Sequence, residues 1–212
     1  MGRKKRYWEP DSFYHIVCRG NRRGALFHDR GDFLTFLYIL KQFFYKAPYE
    51  LASYCLMTNH FHLQLRSTDQ PISKIMSLIN KRYADYYNNK YHLTGQVSEK
   101  RYYDHRIHSP EGMIEVSCYI HLNPVKANMV TNPEAYPWSS YRDYIYDTRP
   151  YEFLKTNHIL KFFSGNIAEK RKKYKQVIAE RLTKNSELPQ FLSAHWQFFI
   201  LTKNAAASYR CK

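Results

Sequence analysis

The chain has 212 residues, with 33 Lys and Arg against 18 Asp and Glu, giving a formal net charge of +15 with histidine neutral. That length suits one domain, or one domain with an extension. A charge so far from zero opposes compaction unless a polyanion relieves it, which makes nucleic acid the natural partner and a membrane surface the second choice. Arg3, Lys4, Lys5 and Arg6 lack the apolar stretch of a signal peptide, and no window approaches a membrane span. Cys18, Cys55, Cys118 and Cys211 form no CxxC pair, so they read as buried small hydrophobes and a disulfide framework is disfavoured. The expected setting is cytoplasmic and nucleoid-associated, with no membrane partner.

Ser12–Arg19 reads as a strand in which Tyr14, Ile16 and Cys18 alternate with Phe13, His15 and Val17. The basic, glycine-bearing stretch Arg19-Gly20-Asn21-Arg22-Arg23-Gly24 follows as a turn. Asp29–Lys46 has the 3.6-residue apolar stripe of a helix in Phe33, Phe36, Leu37, Leu40, Phe43 and Phe44, and Pro48 closes it. Tyr49–Met57 and His60–Arg66 are two strands joined by the short polar link Thr58-Asn59, which favours an antiparallel hairpin. A second helix opens at Gln70-Pro71 and carries Ile72, Ile75, Met76, Ile79, Tyr83 and Tyr86 on one side. Gly95–Tyr103 is expected to contain a fourth strand. The order strand, helix, strand, strand, helix, strand predicts an α+β, ferredoxin-like (RRM-like) antiparallel sheet with both helices on one face and the other face free for a ligand.

Ser109-Pro110-Glu111 has the serine cap, first-turn proline and early carboxylate of a helix start. Asn123-Pro124 is expected to end that helix, which then spans roughly Pro110–Leu122. Trp138-Ser139-Ser140-Tyr141 reads as a turn, Phe153–Phe163 as one short helix and Glu169–Lys184 as a basic helix. The division expected is a catalytic domain over 1–145 and a basic, helical, DNA-contacting extension over 146–212. Tyrosine is abundant, at 20 residues, and often beside cations, as in Lys81-Arg82-Tyr83 and Lys100-Arg101-Tyr102-Tyr103. Such rings suit base stacking beside phosphate contacts, or alternatively fill the rim of a core.

Side chains on a strand repeat with period two, so His60 and His62 share one face while Phe61, Leu63 and Leu65 point to the core. Two imidazoles with an oxygen ligand suit Mn²⁺ or, less ideally, Mg²⁺. Gln64 shares that face. Tyr119 and Asn123 are four apart and therefore neighbours on one helix surface. A phenol is a covalent nucleophile once a metal or base lowers its effective pKa from about 10. Attack on a phosphodiester leaves a phosphotyrosine and a free hydroxyl, and the Asn123 carbonyl completes the ligand set. His121 lies off the Tyr119 face and is not the expected base. His15, His105 and His108 read as structural or as phosphate contacts, with Asp85 and Asp104 as further ligand candidates. There is no phosphate-binding glycine loop, Ser-His-Asp order or zinc-finger spacing.

Met57-Thr58-Asn59-His60-Phe61-His62-Leu63 resembles the histidine-hydrophobe-histidine segment of the IS200/IS605-like single-tyrosine transposases, and Tyr119-Ile120-His121-Leu122-Asn123-Pro124-Val125-Lys126-Ala127 resembles their tyrosine helix. Tyr14-His15-Ile16-Val17-Cys18-Arg19-Gly20-Asn21 and Trp138-Ser139-Ser140-Tyr141 are similar to the REP-associated tyrosine transposase branch. The resemblance spans roughly residues 10–145. It implies His60 and His62 as metal ligands, Asn123 assisting them and Tyr119 as nucleophile. It further implies a Mg²⁺- or Mn²⁺-dependent endonuclease that cleaves and rejoins single-stranded DNA near hairpins through a 5′-phosphotyrosine, as a monomer or homodimer. Arg19, Arg22, Arg23, Arg101, Lys170, Arg171, Lys172, Lys173 and Lys175 are the expected DNA contacts. The rival reading is a non-catalytic single-strand-binding module with an RRM-like sheet, which explains the charge but not the joint occurrence of His60, His62, Tyr119 and Asn123.

Overall fold

The computed structural model describes residues 8–148 and 150–183. Arg3 to Arg6, Lys184 and Cys211 lie outside the described residues. Strand β1 (Tyr14–Arg19) leads to helix α1 (Arg30–Lys46), the hairpin of β2 (Glu50–Met57) and β3 (His60–Arg66), helix α2 (Ile72–Tyr91) and β4 (Tyr103–Arg106). The four strands form one antiparallel sheet in the order β2-β3-β1-β4, the ferredoxin-like arrangement that the element order predicts.

Helix α1 starts where the sequence caps it. The Asp29 side chain accepts from the Asp32 backbone N–H while the Asp32 carboxylate accepts from that of Asp29, a reciprocal capping box. Asp32 also gathers α2 onto α1. Its buried carboxylate accepts from the Lys90 ammonium at 2.7 Å, the Tyr91 hydroxyl at 2.7 Å, the Tyr86 hydroxyl at 2.9 Å and the His28 backbone N–H at 2.7 Å. Burial pushes this carboxyl up, but the four hydrogen bonds outweigh it and hold the group at about 2. Beneath, Phe36, Leu40, Ile75, Met76, Ile79 and Tyr83 pack on Ile16, Phe61, Leu63 and Leu65, the core face of the sheet.

The other sheet face, expected to be free for a ligand, is covered instead. Helix α3 (Pro110–Lys126) lies across β2 and β3, leaving His15, Ser53, His62 and Gln64 buried beneath it. It also runs one turn past the expected stop at Leu122, with Pro124 inside it. Proline biases its predecessor away from the helical region without forbidding it. Here Asn123 is held in place by its side chain, which reaches His62 Nε2 at 3.1 Å.

Two further expectations shift. The fourth strand is Tyr103–Arg106, beyond most of the Gly95–Tyr103 window. Val97 and Glu99 are engaged elsewhere, by Asn21 N–H donating to Val97 O at 2.8 Å and Glu99 N–H donating to Arg19 O at 3.0 Å. The helix expected over 153–163 contracts to α5 (Asn157–Leu160), because residues 153–155 extend along β2 instead, with Leu51 N–H donating to Phe153 O and Lys155 N–H to Leu51 O. Trp138 O and Ser140 N–H bond to β2 in the same way, ahead of helix α4 (Tyr141–Ile145). Together these segments cover an edge that would otherwise expose unpaired backbone.

Helix α6 (Ile167–Thr183) closes the described chain, and the described residues up to Ile178 form one compact unit that includes both sides of the expected division at 145. The abundant tyrosines serve mainly this interior. The Tyr49, Tyr83 and Tyr136 hydroxyls donate to the carbonyls of Leu40, Leu26 and Leu56 at 2.7, 2.5 and 2.6 Å, and Tyr144 donates to Ala52 O. Each fills apolar space while satisfying a buried carbonyl. Cys18, Cys55 and Cys118 are buried free thiols, as expected.

Because the Asp32 carboxyl is held below its ordinary value of 3.8, its stabilisation is present above that value and is lost as pH falls through about 2. Asp32→Asn keeps the size but removes the carboxylate that its four donors share, while Lys90 keeps Asp29 at 2.7 Å, and should cost about 1–3 kcal/mol. Thermal unfolding from pH 6 down to pH 2 checks this: the wild type should lose stability across the acid range more steeply than the variant.

Candidate active site

The site begins with strand register. In the β1–β3 pair His60 stands opposite Arg19, His62 opposite Val17 and Gln64 opposite His15. Directly opposed residues share a face, so His60, His62, Gln64, His15 and Arg19 all point to the α3 side. Phe61, Leu63 and Leu65 point to the core, as expected. The His60 and His62 ring centroids are 4.9 Å apart at 83°.

Helix α3 supplies the opposite wall. Ser109 Oγ accepts from Gly112 N–H at 3.0 Å and Pro110 occupies the first turn, which fixes where the helix starts and therefore which residues face the sheet. Tyr119 and Asn123, one turn apart, both do so, 7% and 6% exposed. The Tyr119 ring lies 5.6 Å from that of His62 and 5.8 Å from that of His15. Asn123 Nδ2 is 3.1 Å from His62 Nε2, and the same amide hydrogen-bonds the Tyr119 hydroxyl. Lys126 Nζ sits 5.3 Å from the Tyr119 ring centroid.

Burial pushes the Tyr119 phenol up to about 12, against the opposing pull of the Asn123 hydrogen bond and the Arg19 charge. His15, fully buried and near His105, is held at about 3 and is neutral at ordinary pH. Its Nε2 lies 3.1 Å from His62 Nδ1.

Among the described residues no group of three His, Cys, Asp or Glu is placed to hold a metal ion. The donors present are two imidazoles and the Asn123 amide, whose oxygen and nitrogen exchange places by a half-turn of the side chain. That set fits an ion that takes mixed nitrogen and oxygen ligands and keeps open positions for water or phosphate oxygens, such as Mn²⁺ or Mg²⁺.

Around this cluster the basic turn is tightly built. A Cβ on Gly20 would fall 2.1 Å from Gly24 O, so only glycine fits. Arg22 and Arg23 adopt left-handed backbone (φ 51° and 62°) and are exposed. Gly20 N–H donates to Asn59 O at 2.9 Å, and Leu26 N–H to Thr58 O at 2.8 Å, which lays the turn against the β2–β3 hairpin next to His60.

The remaining candidates scatter. Arg101 is exposed on the rim of a cleft of about 890 Å³ between α2 and residues 95–102. On α6, Arg171 pairs with Asp147 at 3.0 Å, Lys175 with Glu134 at 3.4 Å, and Lys173 donates to Ser164 Oγ at 2.6 Å. Lys170 and Lys172 make no such contact among the described residues. Asp85 is exposed on α2, and Asp104 stands opposite Ile16 on the core-facing register, so neither carboxylate joins the site.

His121 is structural. Its Nδ1 lies 2.6 Å from the Tyr174 hydroxyl and its Nε2 2.8 Å from Ser140 Oγ, on the side of α3 away from Tyr119. Sequence reasoning did not single out Asn59 or Lys126 and gave His15 no place in the site. The available signals were period-two alternation for His15, the hairpin position for Asn59, and the two-turn spacing of Lys126 from Tyr119.

Residues 10–122 match the family model described as "Transposase IS200 like". The chain belongs to the IS200-like transposase family. Membership makes it a DNA-processing enzyme, and the matched stretch contains His60, His62 and Tyr119. No curated protein is detectably similar in sequence. A solved REP-associated tyrosine transposase, bound to a REP hairpin, superposes with a TM-score of 0.58 at 18% identity, covering 79% of this chain and 93% of that one. At that identity the likeness speaks for the shared fold. Among the described residues of this transposase, no helix is long and apolar enough to cross a membrane.

The transposase's helix α3 is pinned from behind by Tyr174, whose hydroxyl lies 2.9 Å from Ser117 Oγ and 2.6 Å from His121 Nδ1 in a fully buried setting. Tyr174→Phe leaves both partners unsatisfied and should cost about 1–3 kcal/mol in denaturant unfolding. An unchanged midpoint would mean the network contributes nothing net.

Proposed function

We propose that this transposase cleaves and rejoins single-stranded DNA beside hairpins, with Tyr119 as nucleophile and His60, His62 and Asn123 as the residues that would hold a divalent ion, Mg²⁺ or Mn²⁺. The observation that carries the reading is the packing of the Tyr119 ring 5.6 Å from that of His62, with Asn123, one helical turn on, placing its Nδ2 3.1 Å from His62 Nε2. The hairpin preference is supported by the solved relative, which is bound to one.

In the forward step the Tyr119 oxygen attacks phosphorus, the bond from phosphorus to the 3′ oxygen breaks, and the phenolic proton is balanced by the proton taken up at the leaving 3′ hydroxyl. The product is a 5′-phosphotyrosine, which keeps the phosphoester so that a 3′ hydroxyl can reverse the step at another end. A bound divalent ion supplies polarisation of the scissile phosphate and draws charge from the departing oxygen. Asn123 orients the phenol, Arg19 favours its ionised form, and Lys126 adds a cation over its ring. Arg19, Arg22 and Arg23 grip the incoming strand beside the site, and Arg101 contacts it across the cleft.

Residues 1–145 carry the chemistry in this reading, and 146–212 add phosphate contacts. The protein works as a monomer or homodimer on nucleoid-associated DNA in the cytoplasm.

Tyr119→Phe tests the nucleophile. Incubated with 3′-labelled hairpin DNA and Mn²⁺, wild type should give a labelled protein adduct that survives denaturation, mapping to Tyr119, and the variant none. An adduct persisting in the variant moves the nucleophile to another tyrosine, and its absence from both proteins across several hairpins favours a binding module. For the extension, Lys170→Gln with Lys172→Gln should weaken binding to many sequences alike. The salt dependence should flatten by at most about one unit of slope per lost contact. The same change at Arg171, Lys173 and Lys175 should do less, since each already has a partner within the protein. Unaltered slopes throughout would make α6 a solvated face.

A further inference from the structure

The strained basic turn and the buried His15 have a common consequence for the two site histidines. Asn59 sits between the turn and His60. Its Nδ2 donates to the Arg23 carbonyl at 3.3 Å, and a carbonyl only accepts, so the orientation of the amide is fixed from the turn side. Oδ1 therefore faces His60 Nδ1, at 2.7 Å. An amide oxygen also only accepts, so His60 carries a proton on Nδ1, and in the neutral ring that a metal ligand requires, Nε2 carries the lone pair. His62 shows the same pattern by another route. Its Nε2 faces the Asn123 Nδ2 donor at 3.1 Å, and its Nδ1 faces His15 Nε2 at 3.1 Å. With Asn123 donating to Nε2, the His62 proton is on Nδ1 and His15 Nε2 accepts it; a half-turn of the Asn123 amide bares that Nε2 lone pair without moving the proton.

We propose that Asn59 and His15 are positioning residues that hold His60 and His62 in the tautomer protonated at Nδ1, presenting both Nε2 lone pairs to the divalent ion. The inference rests on the metal reading of the site above. It gives a reason for the left-handed backbone of Arg22 and Arg23. Backbone strain of this kind persists where surrounding structure over-determines it. Here the turn is tied down by Thr58 and Asn59, and it aims the Arg23 carbonyl at the Asn59 amide. It also explains a neutral imidazole in a fully buried position on β1, where an apolar residue would pack at lower cost. A ligand imidazole whose second nitrogen is held by a partner keeps its ring orientation and tautomer, and loss of such a partner typically lowers metal affinity by about 10–100-fold.

The test uses full-length protein without DNA. In apo wild type labelled with ¹⁵N histidine, ring-nitrogen spectra should report His60 and His62 protonated at Nδ1, assigned by His60→Ala and His62→Ala. Mn²⁺ titration by calorimetry should show affinity lowered by about 10–100-fold in Asn59→Ala and in His15→Leu. Asn59→Asp and His15→Gln, which return an oxygen acceptor, should recover most of it, which a merely structural role would not give. Asn59 is on a half-exposed hairpin, so its two variants decide the matter even if His15→Leu fails to fold. A wild-type spectrum with either histidine protonated at Nε2 overturns the proposal. So does Mn²⁺ affinity unchanged in Asn59→Ala, or a rescue variant as weak as its deletion. Wild type that binds no Mn²⁺, or His60→Ala that binds it undiminished, overturns the metal reading itself and this proposal with it, an outcome distinct from the others because the spectra would still show the tautomers in place.

Discussion

The antiparallel pairing of β1 with β3 is the constraint on which the rest of the site depends. It sets Arg19 opposite His60 and His15 opposite Gln64, and its other side sets Ile16 opposite Leu63 and Cys18 opposite Phe61. A slip of one residue would exchange the two faces, sending imidazoles into the core beneath α1 and α2 and phenylalanine toward α3. The register is held because the core side accepts only the apolar set. Ile16, Phe61, Leu63 and Leu65 are buried there against Phe36, Ile75 and Ile79. Hydrophobic patterning thus places the polar chemistry by exclusion, and the basic turn follows because it continues directly from the last residue of β1.

Helix α3 answers that face with two polar sides of its own. One side carries Tyr119 and Asn123 to His62, and the opposite side carries Ser117 and His121 to Tyr174 and Ser140. A polar network this deep stabilises only when its members are partnered, since each unsatisfied buried group costs about 1–3 kcal/mol. Ser140 shows how far the partnering extends: its backbone N–H donates to Tyr54 O at 3.0 Å, and its Oγ accepts from Tyr54 N–H at 2.9 Å, on the edge strand β2. The helix bearing the candidate nucleophile is therefore held by the sheet on one side and by α6 and the turn at Ser140 on the other.

Most of this was legible in the sequence wherever periodicity carried the information. β3 matches residue for residue, the α1 helix follows from its apolar stripe and the Ser109 start of α3 from cap chemistry, and the His60/His62 face follows from alternation. What stayed illegible depended on contacts distant along the chain. The fourth strand is defined by pairing with β1 rather than by its own composition, since Tyr103-Asp104-His105-Arg106 has no apolar alternation. Pro124 was read as a stop because the rule for proline is local, whereas the bond from Asn123 to His62 is not. The tyrosines leave both base stacking and core filling open in sequence, and only the fold decides: the hydroxyls of Tyr49, Tyr83, Tyr136 and Tyr144 are committed to interior carbonyls. On α6 the charge run was visible, yet only the folded chain separates Lys170 and Lys172 from the three cations already paired.

The burial of Tyr119 looks at first like a poor arrangement for a nucleophile, because it pushes the phenol up to about 12 and leaves it protonated at rest. The same burial lowers the local dielectric, however, and so strengthens each nearby positive charge on a phenolate once one forms. Lys126 Nζ already sits 5.3 Å from the ring centroid, and the Asn123 amide and the Arg19 charge already favour the ionised form. An ion held at His60 and His62 would add further positive charge to the site. The resting protein thus avoids a buried unpaired anion, while the groups that would stabilise the anion are fixed in place beforehand and need little reorganisation at the moment of reaction. A free hydroxyl on the surface would be easier to reach, but its phenolate would be stabilised by water alone, and these cations would act on it at the much weaker strength they have in solvent.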